Sequence, residues 1–349
     1  MRYLQNMKLM NEALNSCLFY NNTPQSLGFP EEITLTATLR CNYRCSMCYQ
    51  QHYHGDLDWA VMDKLTEILP FARTIQLFGG EPLLYPRLDE LFALCRDNEC
   101  NIHLITNASL LDPDKVASIL NNRVRHIKCS IDAGSAKTYA AIRGGNFLHV
   151  LRNVASLTET RDRFHLKTPT VHFQFLAMRS NIHELGWLVK IAASMGVEQV
   201  NVVFPDLSAK DLEAKESLRA TPQRSDEEML KALELGRQTG VRVSVPALFG
   251  KPAERDEAPA EGVRGYERCS DPWRKLLVSI DGTVNLCCQG LPPVGNLLDA
   301  DFDAIWNADL VQRIRGTINT PDEFPACRVC SLRRPMQSKP EAEASRQAA

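Results

Sequence analysis

RCNYRCSMCY, residues 40–49, sets three thiols, Cys41, Cys45 and Cys48, at the spacing C-x3-C-x2-C directly after the β-rich run ITLTATL of residues 33–39. The thiols therefore fall in the loop at the carboxyl end of a first strand, where barrel-like α/β proteins build their sites. Buried free cysteine is common for an isolated thiol, but three within eight residues, flanked by Arg40, Asn42 and Arg44, do not read as core. Two readings stay open: a structural zinc ion drawing on Cys45, Cys48 and either His52 or His54, or a cubane iron-sulfur cluster held by three thiolates. The second leaves one iron without a protein ligand, and an open iron is a binding position.

Outward from that loop, β-rich runs alternate with helical patterns. The remaining strand candidates are residues 74–80, 101–107, 126–132, 170–178 and 199–204, with residues 241–249 as one further candidate. Leu57, Val61, Leu65 and Ile68 make one helical stripe, and Ile182, Leu185, Leu188, Val189 and Ala192 another, the latter with Asn181 and Glu184 as N-cap and N3 of a capping box. Repeated strand-helix units predict a parallel sheet with helices outside it. Strands buried on both faces run continuously apolar, yet these alternate, so one face looks onto something polar. That face carries Thr34, Thr36 and Thr38; Gln76; His103 and Asn107; Lys128, Ser130 and Asp132; His172 and Gln174; and Asn201. A closed (β/α)8 barrel fills its interior with branched aliphatics; about six strands with a polar lining predict an open, partial (β/α)6 TIM-like barrel around a substrate cavity.

The pattern divides the chain into an N-terminal extension (1–30), the partial barrel (31–249), a small cysteine-bearing unit (250–335) that begins in the Pro- and charge-rich stretch 251–265, and a tail (336–349) whose composition predicts disorder. Forty basic against 42 acidic residues leave a formal charge of −2, which gives no electrostatic footprint for nucleic acid or an anionic membrane. The N-terminal residues 1–17 break their apolar positions with polar ones, so no secretory segment is read there, no later run is long enough to span a bilayer, and a cytoplasmic protein is expected. Twelve cysteines in a reducing compartment read as metal ligands and buried thiols rather than a disulfide framework.

The C-x3-C-x2-C loop after the first strand, followed by FGGEPLL (78–84) at the end of the second, resembles the signature of radical S-adenosylmethionine (SAM) enzymes. The resemblance implies a [4Fe-4S] cluster on Cys41, Cys45 and Cys48 whose remaining iron is chelated by the amino and carboxylate groups of SAM. It further implies that Gly79, Gly80 and Glu81 receive the methionine amino group, and that Asn107, Ser130 and Asp132 bind SAM or order the cavity. Arg143 in AIRGG resembles the arginine that pairs with the SAM carboxylate, and Met47, where the family usually has an aromatic, offers its backbone to adenine.

A second cysteine set, Cys269, Cys287, Cys327 and Cys330, lies in the C-terminal unit, with Gly282 in a turn between two β-like runs. Four thiolates close a site, and composition alone does not separate zinc from an iron-sulfur cluster. With Gly295-Asn296 and Ile305-Trp306 the arrangement resembles the auxiliary-cluster extension of radical SAM enzymes, SPASM, and its shorter form, twitch. The full extension has a further cysteine at the position of Met336, so one auxiliary [4Fe-4S] cluster is expected, with Cys288 as an unassigned neighbour. A fully ligated auxiliary cluster accepts an electron, which points to oxidation of a hydroxylated sugar or aminocyclitol, with His103, Lys128 or His172 removing the proton and a flavodoxin- or ferredoxin-like protein as electron donor. The alternatives are a radical SAM enzyme that epimerises or crosslinks a ribosomal peptide, and a non-catalytic zinc protein.

Overall fold

The computed structural model describes residues 2–50, 53–205, 210–250, 268–328, 330 and 333; the expected linker 251–265, the tail 336–349 and His52 lie outside the described residues. Seven parallel strands follow one another in space as in sequence: β1 (Glu32–Thr38), β2 (Thr74–Gly79), β3 (Asn101–Thr106), β4 (His126–Ser130), β5 (Thr170–Leu176), β6 (Gln199–Val203) and β7 (Arg242–Ser244). The six expected strands are present to within two residues at their ends, and the short β7 makes a seventh inside the run read as one further candidate. Helices connect them: α2 (Trp59–Leu65), α3 (Leu88–Asp97), α4 (Pro113–Asn121), α5 (Ala136–Arg143), α6 (Phe147–Arg163), α7 (Leu185–Ser194), α8 (Lys210–Glu216) and α9 (Pro222–Thr239), after an N-terminal helix, α1 (Arg2–Tyr20). This is an α/β partial barrel, open because β7 has no partner on its far side among the described residues.

The alternation read from the sequence divides the sheet's two faces. Ile33, Leu35, Ile75, Leu77, Ile102, Leu104, Ile127, Cys129, Val171, Phe173 and Val200 are buried under the helices at no more than 2% exposure, which is the condition for the helix-facing side to act as core. The polar partners on the other side share one face because parallel register aligns them. Thr34, Gln76, His103, His126 and Thr170 form one row, Lys128 pairs with His172 and Gln199 in the next, and Ser130, Gln174, Asn201 and Ser244 lie in a third. Most of these side chains are only partly buried, so they line a lumen rather than fill it.

The C-terminal unit joins the same sheet. β8 (Lys275–Val278) pairs parallel with β1, and β9 (Thr283–Asn285) and β10 (Gly295–Asn296) extend it antiparallel. The expected hairpin forms at Gly282, whose φ of +84° suits glycine. The chain after α1 ties this unit down: Trp273 Nε1 donates to Thr23 O at 2.9 Å, Trp306 Nε1 to Gly28 O at 2.7 Å, and the buried Arg315 to Pro24 O at 3.2 Å. On its other side α1 inserts Lys8 Nζ against Ala72 O at 2.6 Å and Asn98 O at 2.7 Å.

One local expectation fails. Asn181 and Glu184 do not form a capping box on α7; a 3-10 turn, Ile182–Glu184, intervenes, and neither residue caps through its side chain. Asn181 instead donates to Asp132 O at 2.9 Å and Leu176 O at 2.8 Å. Glu184 accepts from Gly134 N at 2.8 Å, Ser135 N at 3.0 Å, Ser135 Oγ at 2.7 Å and Thr138 Oγ1 at 2.6 Å, so it caps the start of α5.

Candidate active site

The cysteine loop is fixed at both ends before any metal is considered. Thr38 Oγ1 donates to Asp56 Oδ1 at 2.7 Å, Arg40 Nε donates to the same oxygen at 2.9 Å, and Arg40 also reaches Leu84 O at 2.9 Å. Further along, Ser46 N donates to Ile142 O at 2.9 Å, tying the loop to the end of α5. The GGEP stretch is joined to the loop's stem, with Gly80 N on Thr38 O and Glu81 N on Arg40 O, each at 2.8 Å. A Cβ at Gly79 would stand 2.1 Å from Thr38 O, and one at Gly80 2.2 Å from Arg40 O. Only glycine lets these backbones approach so closely.

A cavity of about 320 Å³ opens at this strand end, lined by all three cysteines together with Met47, Gly79, Gly80, Asn107, Ser130 and Arg143. Leu39, Tyr43, Ile105, Leu176 and Phe204 supply apolar walls. Of the residues expected to bind the cofactor, Glu81 and Asp132 stand behind this lining. Both are fully buried. Glu81 accepts from Thr106 Oγ1 at 2.7 Å, Asn107 N at 2.7 Å and Leu83 N at 3.1 Å, and burial pushes its carboxyl up to about 7. Asp132, held at a φ of 59°, accepts from Leu176 N at 2.7 Å and forms an ion pair with Arg143. Both acids position the cavity wall rather than face the cavity.

Arg143 is the hinge of the site's electrostatics. Its guanidinium lies between Asp132 and Cys45, with Nη1 3.6 Å from Cys45 Sγ, and its Nε is buried with no hydrogen-bond partner. An orphaned buried donor beside a cavity is a place for an anionic oxygen. Burial raises the Cys41 and Cys45 thiols, and Arg143 partly offsets the rise at Cys45. Asn107 bridges to the cysteine loop through Asn42 Oδ1 at 2.9 Å, while Asn42 donates to Ser109 Oγ at 2.8 Å. Among the described residues no three His, Cys, Asp or Glu converge on a single metal ion, whereas a cubane spreads its irons and takes thiolates further apart. None of the twelve cysteines is in a disulfide. The donor set fits a cluster and a cosubstrate with a carboxylate.

In the C-terminal unit Cys327 lies within electrostatic reach of Cys269, Cys287 and Cys330. Burial first, then neighbouring charges that include Cys287 and Cys330, push Cys327 up to about 11; burial chiefly, with Cys327 contributing, pushes Cys269 up to about 12. Asn319 holds Cys269 by both backbone groups, accepting from its N–H at 2.8 Å and donating to its carbonyl at 3.1 Å. Cys288 is exposed beside Cys287.

The proton-accepting candidates are in the lumen. His103, Lys128 and His172 all lie on the polar face, joined by a residue absent from the sequence reading, His126. The His126 ring stands 5.3 Å from that of His103 and 3.9 Å from that of His172. Its signal was in the sequence, two residues before Lys128 on the same strand parity. Burial, then neighbouring positive charge, lowers His126 to about 3 and His172 to about 4 and also lowers His103; burial lowers Lys128, with Glu32 opposing it. The imidazoles are neutral at pH 7.

Sequence models of two families match this chain: the radical SAM superfamily over residues 35–173 and the SPASM iron-sulfur cluster-binding domain over residues 269–331. The chain carries a radical SAM domain and a SPASM iron-sulfur cluster-binding domain, and its cofactors are SAM and iron-sulfur clusters. It is 25% identical over 330 residues to the AdoMet-dependent heme synthase of Methanosarcina barkeri, covering 87% of this chain and 89% of that protein. It is 24% identical to the PqqA peptide cyclase of Gluconobacter oxydans, covering 85% of this chain and 82% of the cyclase. The tungsten-containing aldehyde ferredoxin oxidoreductase cofactor-modifying protein of Pyrococcus furiosus is matched at 24% identity over only 49% of its length. The crystal structure of Streptococcus suis SuiB shares the fold, with a TM-score of 0.67 at 16% identity over 87% of this chain and 71% of SuiB. No helix among the described residues is long and apolar enough to cross a membrane.

Proposed function

We propose that this radical SAM enzyme oxidises a polar substrate held in the barrel lumen below the cysteine loop. The observation that carries the reading is the set of register-aligned, half-buried polar side chains of β3–β5, which stand on the same sheet face as Ser130 of the cavity wall. An apolar substrate would strip these groups of water and leave them unpaired. When bound, the cofactors supply the electron that cleaves SAM, the 5'-deoxyadenosyl radical that removes a substrate hydrogen atom, and, at the second thiol set, an acceptor for the electron left on the substrate.

The chain's own residues do the rest. Cys41, Cys45 and Cys48 hold the first cluster, and Cys269, Cys287, Cys327 and Cys330 the auxiliary one. Arg143, with Asn107 and the Gly79–Gly80 backbone, receives the polar end of SAM, while Met47 and the apolar walls exclude water. His103 and His172, neutral and without a hydrogen-bond partner among the described residues, accept the proton released on oxidation, with Lys128 beside them. The balance is closed: substrate and SAM give oxidised substrate, methionine, 5'-deoxyadenosine and one proton. The reducing electron comes from a flavodoxin- or ferredoxin-like donor.

A hydroxylated sugar or aminocyclitol pairs the uncharged groups of this lumen through its hydroxyls and leaves the Lys128 ammonium to a further group of the substrate. A ribosomal peptide is the second reading, favoured by the match to a peptide cyclase along 82% of that protein's length. Anaerobic incubation with SAM, dithionite and candidate substrates distinguishes them: 5'-deoxyadenosine with a stoichiometric ketone supports the first, and a precursor peptide altered by crosslinking or epimerisation supports the second. Neither product, from a panel of both kinds in protein that cleaves SAM, would contradict an oxidising or maturing role.

A further inference from the structure

Resting on the reading that substrate occupies the lumen, we propose that the substrate carries a carboxylate, and that Lys128 and the imidazoles of His103 and His172 hold it. The polar groups of the lumen divide into two sets. On β6 and β7 they satisfy one another: Asn201 Oδ1 accepts from Ser244 Oγ at 2.8 Å and Gln199 Oε1 accepts from Arg242 Nη1 at 3.2 Å. On β3–β5 they do not. Among the described residues, Lys128 Nζ makes no hydrogen bond or ion pair, and the rings of His103 and His172 make no hydrogen bond, although all three are half-buried. His126 alone is engaged, through Nδ1 and Thr170 Oγ1 at 2.8 Å, and its ring bridges the other two.

The carboxylate that bears on Lys128 from β1, Glu32, lies 3.9 Å from Lys275 Nζ and is already partnered. A half-buried ammonium without a counterion is costly, and folds keep such groups where a ligand completes them. Among the described residues Lys128 is the cation of this set that makes no ion pair; Arg242, which also bears on His172, is exposed and engaged by Gln199. A carboxylate balances the ammonium. A neutral polyol would leave it unmatched. The carboxylate has two possible sources, a free small acid or a glutamyl or aspartyl side chain of a peptide. With either, a neutral imidazole donates to the carboxylate through one ring nitrogen and keeps the other to take the proton of the oxidation.

The test is calorimetry under anaerobic conditions on the reconstituted full chain with SAM bound. The probes are butyrate and N-acetylglutamate methylamide, each against its neutral amide, butyramide and N-acetylglutamine methylamide. The expected result is at least tenfold tighter binding of an acid than of its amide, lost at least tenfold in Lys128→Gln and kept within a few-fold in Lys128→Arg. Preference for butyrate identifies a small acid, and preference for the glutamyl probe identifies a peptide side chain. Equal binding of acid and amide, absence of binding by both acids, or unchanged binding in Lys128→Gln overturns the proposal. Release of 5'-deoxyadenosine by the wild-type protein with reductant, measured in parallel, reports separately on the underlying reading.

Discussion

Arg143 is asked to serve two masters: its Nη2 faces Asp132 and its Nη1 faces Cys45, and its buried Nε, without a partner, is the donor proposed for the cosubstrate. A planar fork does this and a point charge does not. Arg143→Lys is expected to weaken SAM binding by about 10- to 100-fold, the worth of a charge-assisted hydrogen bond. Iron content should stay unchanged; equilibrium binding and iron analysis on the same sample check both halves. The lumen histidines make a pH prediction. Their folded values, about 3 and about 4 for His126 and His172, lie below the unfolded imidazole value. The folded state therefore binds fewer protons on acidification, and stability present above pH ~6.5 is lost as pH falls toward those values. Partial exposure screens the effect to roughly 1 kcal/mol per imidazole. Thermal melts from pH 7 to pH 5 should fall less steeply in His126→Gln than in the wild type.

Among the elements, strand identity was readable and helix capping was not. β1 to β6 declare themselves because alternation is a local, period-two signal that the sheet then obeys. β7 is only Arg242–Ser244, too short for alternation to stand out. The Asn181–Glu184 spacing looked like a cap for the helix it precedes, but Glu184 caps α5, nearly fifty residues earlier in the chain, and no local pattern encodes a tertiary partner. Glu184→Ala should thus destabilise α5, which ends in Arg143, rather than α7. The expected cost is about 2–4 kcal/mol for the buried donors left unpaired. Hydrogen exchange should rise at residues 134–143 and stay unchanged in α7; the reverse pattern would contradict the assignment.

At the scale of the molecule, the two thiol sets belong to one sheet, because β8 lies against β1 and the cysteine loop leaves from the end of β1. The sequence located both sets by spacing, yet their joining through a parallel β1–β8 pair is a long-range contact that spacing does not carry. The same holds for α1 and the segment behind it, whose carbonyls accept from Trp273, Trp306 and Arg315. Trp306→Ala should cost about 3–5 kcal/mol through lost burial alone, lowering the melting temperature of the whole chain in a single transition.

Anaerobic iron and sulfide analysis paired with SAM cleavage tests the central claim most directly. On the proposal of one four-iron cluster at each thiol set, Cys41, Cys45 and Cys48 replaced together by alanine should halve the iron and sulfide content and abolish 5'-deoxyadenosine formation, while the wild type forms it on reduction. A triple variant that keeps its full iron content, or a reduced, fully loaded wild type that leaves SAM intact, would contradict the account.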